Sequence, residues 1–268
     1  MKKLRDIIVL VALGCTLFSC QDVIDVDLPE SEPRLVVDAL IKVPDREQYF
    51  PVAVRLTTTA PFDTQDVPQV TGAQITVEAA GRTYFVDEKA PGFYSGELPK
   101  EVITTENLEL IIEYNGERYA ATSKMQHTVP IDSLSQGTGT LFSGDETEII
   151  VSYTDPAPTT DYYLFDLDFN FYLLSDDRFY QGNSFSFSYF YDDLEPGSVL
   201  VISILGVDKP FYDYMSILIA QSGQDAGGPF QAPPAEARGN IINTTNPENY
   251  PLGYFAIAQQ YSATITTE

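Results

Sequence analysis

Closely spaced carboxylates are the residues of this sequence that could do chemistry. Asp166 and Asp168 lie two residues apart in an alternating segment, and Asp192, Asp193 and Glu195 crowd a predicted turn. A glycosidase needs two carboxylates about 5–10 Å apart, and calcium takes several carboxylate and carbonyl oxygens. Acids at this spacing are more typical of a solvated strand face, and no D-x-[DN]-x-[DN]-G calcium loop occurs. We therefore predict no catalytic residue, no metal and no cofactor, with calcium at an acidic loop as the open alternative.

Composition limits histidine and cysteine chemistry. His127 is the only histidine, and the two cysteines, Cys15 and Cys20, both lie in the first twenty residues. A Ser-His-Asp triad or a histidine-based zinc site would have to be built around His127. The rest of the chain has no cysteine for a disulfide, a thiolate metal site or a nucleophile. We expect His127 to lie at the surface or at a seam between domains.

The first twenty residues have the pattern of an export signal. Lys2, Lys3 and Arg5 precede a short apolar core over 7–18, and Leu17-Phe18-Ser19-Cys20 follows. The core is shorter than the roughly 20 residues that a spanning helix needs, so cleavage is favoured over anchoring by a helix. Residues 1–19 are predicted to be a lipoprotein signal peptide and Cys20 to be the lipidated first residue. Lipidation at Cys15, or an ordinary secretory signal without lipid, are the alternatives.

Charge restricts the partners of the exported chain. The formal net charge is −24 over 268 residues, and removal of residues 1–19, which carry a net +2, leaves −26. Such a surface repels nucleic acid and anionic lipid headgroups. Asp22, Asp25 and Asp27 continue this acidity in the predicted tether, residues 20–33. This acidic start resembles the signal that sends lipoproteins to the outer face of the outer membrane.

Alternating apolar residues predict a β-sandwich in the first half of the chain. Predicted strands cover 34–41, 49–58, 74–79, 83–86, 108–114 and 118–123. Asn115-Gly116 between the last two is the strongest short hairpin signal. The spacing of short strands and turns is typical of an immunoglobulin-like or transthyretin-like sandwich. We assign it to residues 34–128.

Residues 129–268 are predicted to form a second β-rich domain with one helix. Strands are expected at 148–153, 184–191 and 199–207, and 161–174 is interpreted as one alternating strand. A helical period then appears near 210–222, with Asp208 as N-cap, Pro210 in the first turn and Gly223 after the end. Short strands at 241–242 and 254–257 close the chain. The fold class is therefore mostly β, with one helix.

Two segments are candidates for partner contact. Tyr189, Phe190 and Tyr191 could stack on a sugar or meet a protein, although ordinary core packing is favoured. The loop over 227–239 is long and rich in proline and glycine, which is typical of functional loops. No partner-binding residue can be assigned from either segment.

An ordered series of short motifs resembles a known family. The series starts with the lipobox, the lipidation motif Leu17-Phe18-Ser19-Cys20. It continues with Glu32-Pro33-Arg34-Leu35-Val36-Val37, Pro130-Ile131-Asp132-Ser133-Leu134, Asp161-Tyr162-Tyr163, Phe211-Tyr212-Asp213-Tyr214 and Gly253-Tyr254-Phe255. Together these motifs resemble the Bacteroidota surface lipoproteins catalogued as domain of unknown function 4249. The resemblance implies a non-catalytic companion of a TonB-dependent outer-membrane receptor, a β-barrel, that takes part in nutrient uptake. It supplies no binding residues.

We therefore expect a lipid-anchored protein of the outer membrane that faces the cell exterior. Its expected role is an accessory subunit of a TonB-dependent receptor, and not an enzyme. An independent surface adhesin or glycan-binding module is the alternative.

Overall fold

The computed structural model describes residues 32–45, 47–61, 66–141, 144–222 and 236–268. The predicted signal peptide, Cys20, residues 20–31 of the tether and residues 227–235 of the proline-rich loop lie outside the described residues. The predicted fold class is confirmed, since the described chain is mostly β with large sheets.

Fifteen strands and two α-helices follow one another along the described chain. The strands are β1 Leu35–Pro44, β2 Tyr49–Thr58, β3 Gln74–Ala79, β4 Arg82–Ala90, β5 Phe93–Pro99, β6 Leu108–Tyr114, β7 Glu117–Ser123, β8 Ile131–Gln136, β9 Thr147–Thr154, β10 Tyr162–Asp166, β11 Tyr172–Asp176, β12 Ser184–Tyr191, β13 Val199–Val207, β14 Ile242–Asn243 and β15 Leu252–Thr266. The helices are α1 Lys100–Thr105 and α2 Lys209–Ser222. No described helix has the length and apolar character needed to cross a membrane.

The first half forms a sandwich because β4 belongs to two layers. Its beginning pairs with β3 and its end pairs with β5, with a register shift between Glu88 and Ala90. The layers β1-β2-β5 and β3-β6-β7 therefore face each other, and their inward residues form one apolar cluster. Phe50, Tyr94 and Leu110 are among its largest buried side chains. Alternation in burial along β1, β2 and β3 confirms the strand periods predicted from the sequence.

A second sandwich stands beside the first. The three-stranded sheet β12-β9-β8 packs its inner face on the β10-β13-β15 part of the twelve-stranded sheet. Aromatic side chains dominate this core, where Tyr153 lies 5.3 Å from both Tyr163 and Phe165 by ring centroids. The outer face of β9 and β12 carries hydroxyls instead, such as Ser152 paired with Ser186 at 2.7 Å.

The predicted helix is confirmed as α2, one residue longer at its start. The Asp208 side chain caps it, since Asp208 Oδ1 accepts a hydrogen bond from the Phe211 backbone N–H at 2.9 Å. Phe211 and Ile219 are its buried residues, and Phe211 packs on Tyr254 of β15 at 4.9 Å between ring centroids. The helix therefore covers the face of the twelve-stranded sheet that the second sandwich leaves open.

Two local predictions from the sequence are wrong. The segment 161–174 is not one strand, because β10 turns at residues 168–170 into β11, and these three non-glycine residues have φ between 48° and 66°. Phe169 is consequently exposed at 56% instead of sharing a buried face with Phe165. The first half also contains α1, whose Ile103 is buried although no helical period is visible in the sequence.

The end of the chain joins the strands of both predicted domains. β15 pairs in parallel with β1 over Leu252 to Gln260 and then antiparallel with β13 up to Thr266. Near the predicted boundary at 128, Gln126 also bridges to Ala258. The domain limits at 34–128 and 129–268 stay a prediction, while hydrogen bonds cross between the two segments.

We expect Gly253→Ala to be strongly destabilising. Gly253 has φ +100°, and a Cβ there would lie 1.9 Å from the Val37 carbonyl oxygen of β1. Backbone strain and displacement of β1 should lower the free energy of unfolding by about 3 kcal/mol. Gly81→Ala is the matched control, because Gly81 has φ +70° but no atom within 4 Å of the new Cβ. Urea denaturation of both variants measures the difference, and equal losses would contradict the close approach of β1 and β15.

Candidate functional site

The predicted carboxylate pair has structural partners. Asp166, in β10, accepts a hydrogen bond from Lys42 Nζ at 2.8 Å. Asp168 lies in the turn, where its Oδ2 accepts the Val201 backbone N–H at 3.0 Å. The alternating segment would place both acids on one strand face, but Asp168 instead lies in the turn that follows β10. Their carboxylates tie β10 to β1 and the turn to β13.

The other residues singled out by the sequence lie on the surface. Asp192, Asp193 and Glu195 are exposed in the turn after β12, as a solvated acidic turn should be. His127 is exposed and its Nδ1 lies 3.2 Å from Gln259 Oε1 of β15. His127 therefore lies at the surface, one of the two places expected for it, and contacts a residue of the second segment.

The aromatic run at the end of β12 belongs mainly to the second core. Tyr191 is buried, and its hydroxyl donates to the Leu167 carbonyl at 2.5 Å. Burial raises the pKa of the Tyr191 phenol well above its ordinary value, so it stays protonated and can donate. Tyr189 packs 4.8 Å from Tyr191 by ring centroids. Core packing, the interpretation favoured from the sequence, accounts for both tyrosines.

A carboxylate cluster that the sequence did not reveal lies at one end of the second sandwich. Asp155, Asp161 and Asp177 each place one carboxylate oxygen within 4.8 Å of the others. Asp155 and Asp177 are 2% and 1% exposed, which is exceptional for aspartate. We call these three residues the carboxylate cluster.

Strand ends bring the carboxylate cluster together. Asp155 directly follows β9, Asp161 directly precedes β10, and Asp177 directly follows β11. Because β10 and β11 are antiparallel, the start of one meets the end of the other, and the Asp177 N–H donates to the Asp161 carbonyl at 3.2 Å. Tyr163 crosses the sandwich and donates its hydroxyl to Asp155 Oδ1 at 2.5 Å. In the sequence each acid is a polar residue next to the end of a different strand. The three become neighbours only through the pairing and packing of these strands.

The carboxylate cluster accepts hydrogen bonds from neutral donors, and its acids repel one another. Asp155 Oδ2 accepts the Gly182 N–H at 2.9 Å, and Asp177 Oδ2 accepts Gln181 Nε2 at 3.3 Å. Desolvation, followed by the charges of Asp155 and Asp177, raises the pKa of Asp161 above its usual value, although a Thr159 hydrogen bond acts in the other direction. No described lysine or arginine forms an ion pair with the cluster.

The carboxylate cluster has the donor set of a hard-cation site. Calcium binds oxygen ligands at about 2.3–2.6 Å, so one ion could take an oxygen from each of three carboxylates at this separation. The hydrogen bonds from Tyr163 and Gly182 occupy part of the Asp155 carboxylate in the structure. Without a cation, the same geometry leaves like charges close together in a partly desolvated place.

We expect Asp161→Asn to stabilise the protein at neutral pH in the presence of EDTA. The folded-state pKa of Asp161 is raised, so ionisation of its carboxyl disfavours the folded state as pH rises through that pKa. Asparagine removes the charge and still accepts the Thr159 hydroxyl. Tm should therefore rise at neutral pH, and the gain should vanish below about pH 3.8, where the carboxyl is protonated in both the folded and the unfolded state.

Asp193→Asn is the control for this prediction, because it removes the same charge from an exposed turn. A gain in Tm from Asp193→Asn equal to that from Asp161→Asn would show that only net charge matters. Melting curves in calcium chloride complete the experiment. A rise in wild-type Tm that Asp161→Asn abolishes would show that a divalent cation neutralises the carboxylate cluster.

Two of the solved structures that match this chain are distant likenesses. One matched chain is described as a 1.5-MDa bacterial ice-binding adhesin, with 9% identity, a TM-score of 0.23, and coverage of 89% of this chain and 65% of that one. Another is a Ca2+-stabilized adhesin that helps an Antarctic bacterium bind ice, with 14% identity, a TM-score of 0.22, and coverage of 90% and 50%. This chain thus spans less than two thirds of either structure. TM-scores this low indicate neither a shared fold nor a shared function.

The family of this chain follows from a family model, since no curated protein matches the sequence significantly. The family described as "Domain of unknown function (DUF4249)" matches residues 21–264, which is nearly the whole chain after Cys20. This is the family that the motif series resembles, and the protein belongs to it.

Proposed function

We propose that this protein is a non-catalytic lipoprotein of the outer-membrane surface that serves as an accessory subunit of a TonB-dependent receptor. The observation that carries the proposal is the position of the lipobox relative to the family match. Leu17-Phe18-Ser19-Cys20 ends the apolar segment, and the family match begins at residue 21. The family domain therefore starts where a lipidated mature chain would start.

The length between anchor and fold is consistent with a surface role. β1 begins at Leu35, so fourteen residues separate it from Cys20. Such a segment can span at most roughly 50 Å when fully extended. The charge of −26 on the mature chain should repel the folded domain from anionic lipid headgroups. A domain held in this way can reach a neighbouring membrane protein.

The two acids first considered for catalysis have structural partners instead. Asp166 forms an ion pair with Lys42, and Asp168 accepts a hydrogen bond from the Val201 N–H, so both acids stabilise the fold. The resemblance to the family adds the expected receptor partner. Nutrient capture by the receptor is the process to which an accessory subunit of this kind would contribute.

We expect palmitate labelling to depend on Cys20 and receptor capture to depend on anchoring. The tagged full chain is cross-linked in intact cells, solubilised from the outer membrane and purified, and labelled palmitate is followed in parallel. Wild type should carry label and co-purify a β-barrel receptor. Cys20→Ser should lose the label, the membrane fraction and the receptor.

Cys15→Ser is the matched control, because it removes the competing cysteine and should change nothing. Unlabelled wild type would contradict the anchor, and labelled wild type without a β-barrel partner would contradict the receptor role. Binding of polysaccharide by the chain without any receptor would support the alternative adhesin or glycan-binding role.

A further inference from the structure

Strand β12 is an edge strand without the usual protection against pairing. It is the terminal strand of the sheet β12-β9-β8, and its eight residues include no charge, no proline and no bulge. The opposite edge, β8, carries Asp132 and a register shift beside it. The terminal strands of the larger sheet, β11 and β14, have only five and two residues. Long uncharged edges are templates for another strand, so β12 stands out among the described edges.

The phase of the β9–β12 ladder shows which groups of β12 face outward. The Asp155 N–H donates to the Asn183 carbonyl at 3.1 Å, which makes this a hydrogen-bonded pair at the end of the ladder. Every second residue from Ser184 to Phe190 therefore turns its N–H and C=O away from β9. Close side-chain contacts agree, since Thr154 and Ser184 hydroxyls lie 2.8 Å apart, as expected for a non-hydrogen-bonded pair.

Four residues of β12 thus present one donor and one acceptor each along the open edge. They are Ser184, Ser186, Ser188 and Phe190. Their backbone groups form no hydrogen bond to another segment within the described part of the chain. The aromatic side chains between them, from Phe185 to Tyr189, are only partly buried at the rim of the second core. An added strand would satisfy the backbone and cover these rings.

The sequence of β12 is complementary to itself in antiparallel orientation. A two-fold axis at Phe187 places Ser186 opposite Ser188 of the second copy and Phe185 opposite Tyr189 of the second copy. The outward-facing residues then meet as hydrogen-bonded pairs, and aromatic residues lie opposite aromatic residues on one face. We propose that the β12 edge is a homodimerisation surface that joins two copies of this chain into one six-stranded sheet.

Charge and area define the character of this dimer. Each mature chain carries −26, and Asp192 at the end of β12 would lie opposite Gly182 of the second copy, whose N–H binds the Asp155 carboxylate. The two copies therefore repel each other, and salt screens this repulsion over about 10 Å at 0.1 M ionic strength and 3 Å at 1 M. Pairing of one eight-residue edge is smaller than a standard interface of about 1,600 Å², so we expect weak association that strengthens with salt.

Ser186→Pro tests the edge directly. Proline removes an outward N–H that β9 does not use, and its fixed φ is tolerated on an edge strand. The purified full chain in mild detergent is studied by light scattering over about 1–300 µM protein, at about 0.05 M and 0.5 M NaCl. Wild type should show a dimer that is tighter at high salt. Ser186→Pro should weaken it at least tenfold, whereas Ser186→Ala, which keeps the N–H, should match wild type.

A disulfide gives a second measurement that does not depend on the proline variant folding. Directly opposed residues of a non-hydrogen-bonded pair have Cα atoms about 4.5 Å apart, within the 4.4–6.8 Å range of disulfides. Phe187→Cys, with Cys15 and Cys20 replaced by serine, should form a cross-linked dimer on oxidation. Ser135→Cys on β8 in the same background should not.

Any one of four results would overturn the proposal, and the first three concern the β12 edge itself. They are a concentration-independent monomer at both salt concentrations, a dimer that folded Ser186→Pro retains, and oxidised Phe187→Cys that remains monomeric. Cross-linking of Ser135→Cys as efficient as that of Phe187→Cys would also overturn it, because the contact would then not be specific to β12.

Discussion

The parallel pairing of β1 with β15 is the constraint on which the rest of this structure depends. It places Val36 opposite Leu252, so the first and last strands of the described fold lie side by side. β1 also pairs with β2, and β15 continues to β13, so this ladder connects the strands of the two sandwiches. Parallel pairing between the ends of a chain requires closure of a very long loop, which costs entropy before any contact forms. The stabilisation that offsets this cost comes from both faces of the two strands.

Both faces of β15 are buried, but in different cores. Phe255 and Ile257 belong to the first sandwich, whereas Tyr254, Ala256 and Ala258 lie under α2. A strand buried on both faces reads as a continuous apolar run, and residues 254–258 have that character. The close approach at its start requires glycine, since a Cβ at Gly239 would lie 1.5 Å from the Gly253 carbonyl oxygen. Packing and backbone contact therefore specify this junction together.

The sequence predicts local structure well where one physical signal dominates. Asn115 and Gly116 have φ 49° and 77°, as their hairpin signal requires, and Asp208 caps α2 as expected. The prediction failed at 161–174 because Asp168, Phe169 and Asn170 adopt positive φ without glycine. Such turns are stabilised by specific contacts, here the Asp168 carboxylate on Val201, and pattern alone does not contain them. The carboxylate cluster escaped prediction for a related reason, since its acids become neighbours only through long-range strand pairing.

Tyrosine has a role in this acidic chain that lysine and arginine have in others. The sequence contains 39 acids and only 15 lysines and arginines, so most carboxylates must do without a cationic partner. Exposed acids are solvated by water, but the buried Asp155 needs a donor from the protein. Tyr163 supplies it, because burial and the neighbouring Asp155 raise the pKa of its phenol and keep it protonated.

The same principle extends across the second core. Tyr153 and Tyr180 share a hydrogen bond at 2.6 Å, and Ser175 joins them at 2.7 Å from Tyr180. A phenol brings a large apolar ring together with one polar atom, so it fills the core and satisfies polar groups without adding charge. The 17 tyrosines of the chain are thus compatible with a high negative charge outside and a hydrogen-bonded interior. The many aromatic residues of this sequence could suggest sugar binding. In the second sandwich, however, tyrosines fill the core, and their hydroxyls bind the buried Asp155 and each other.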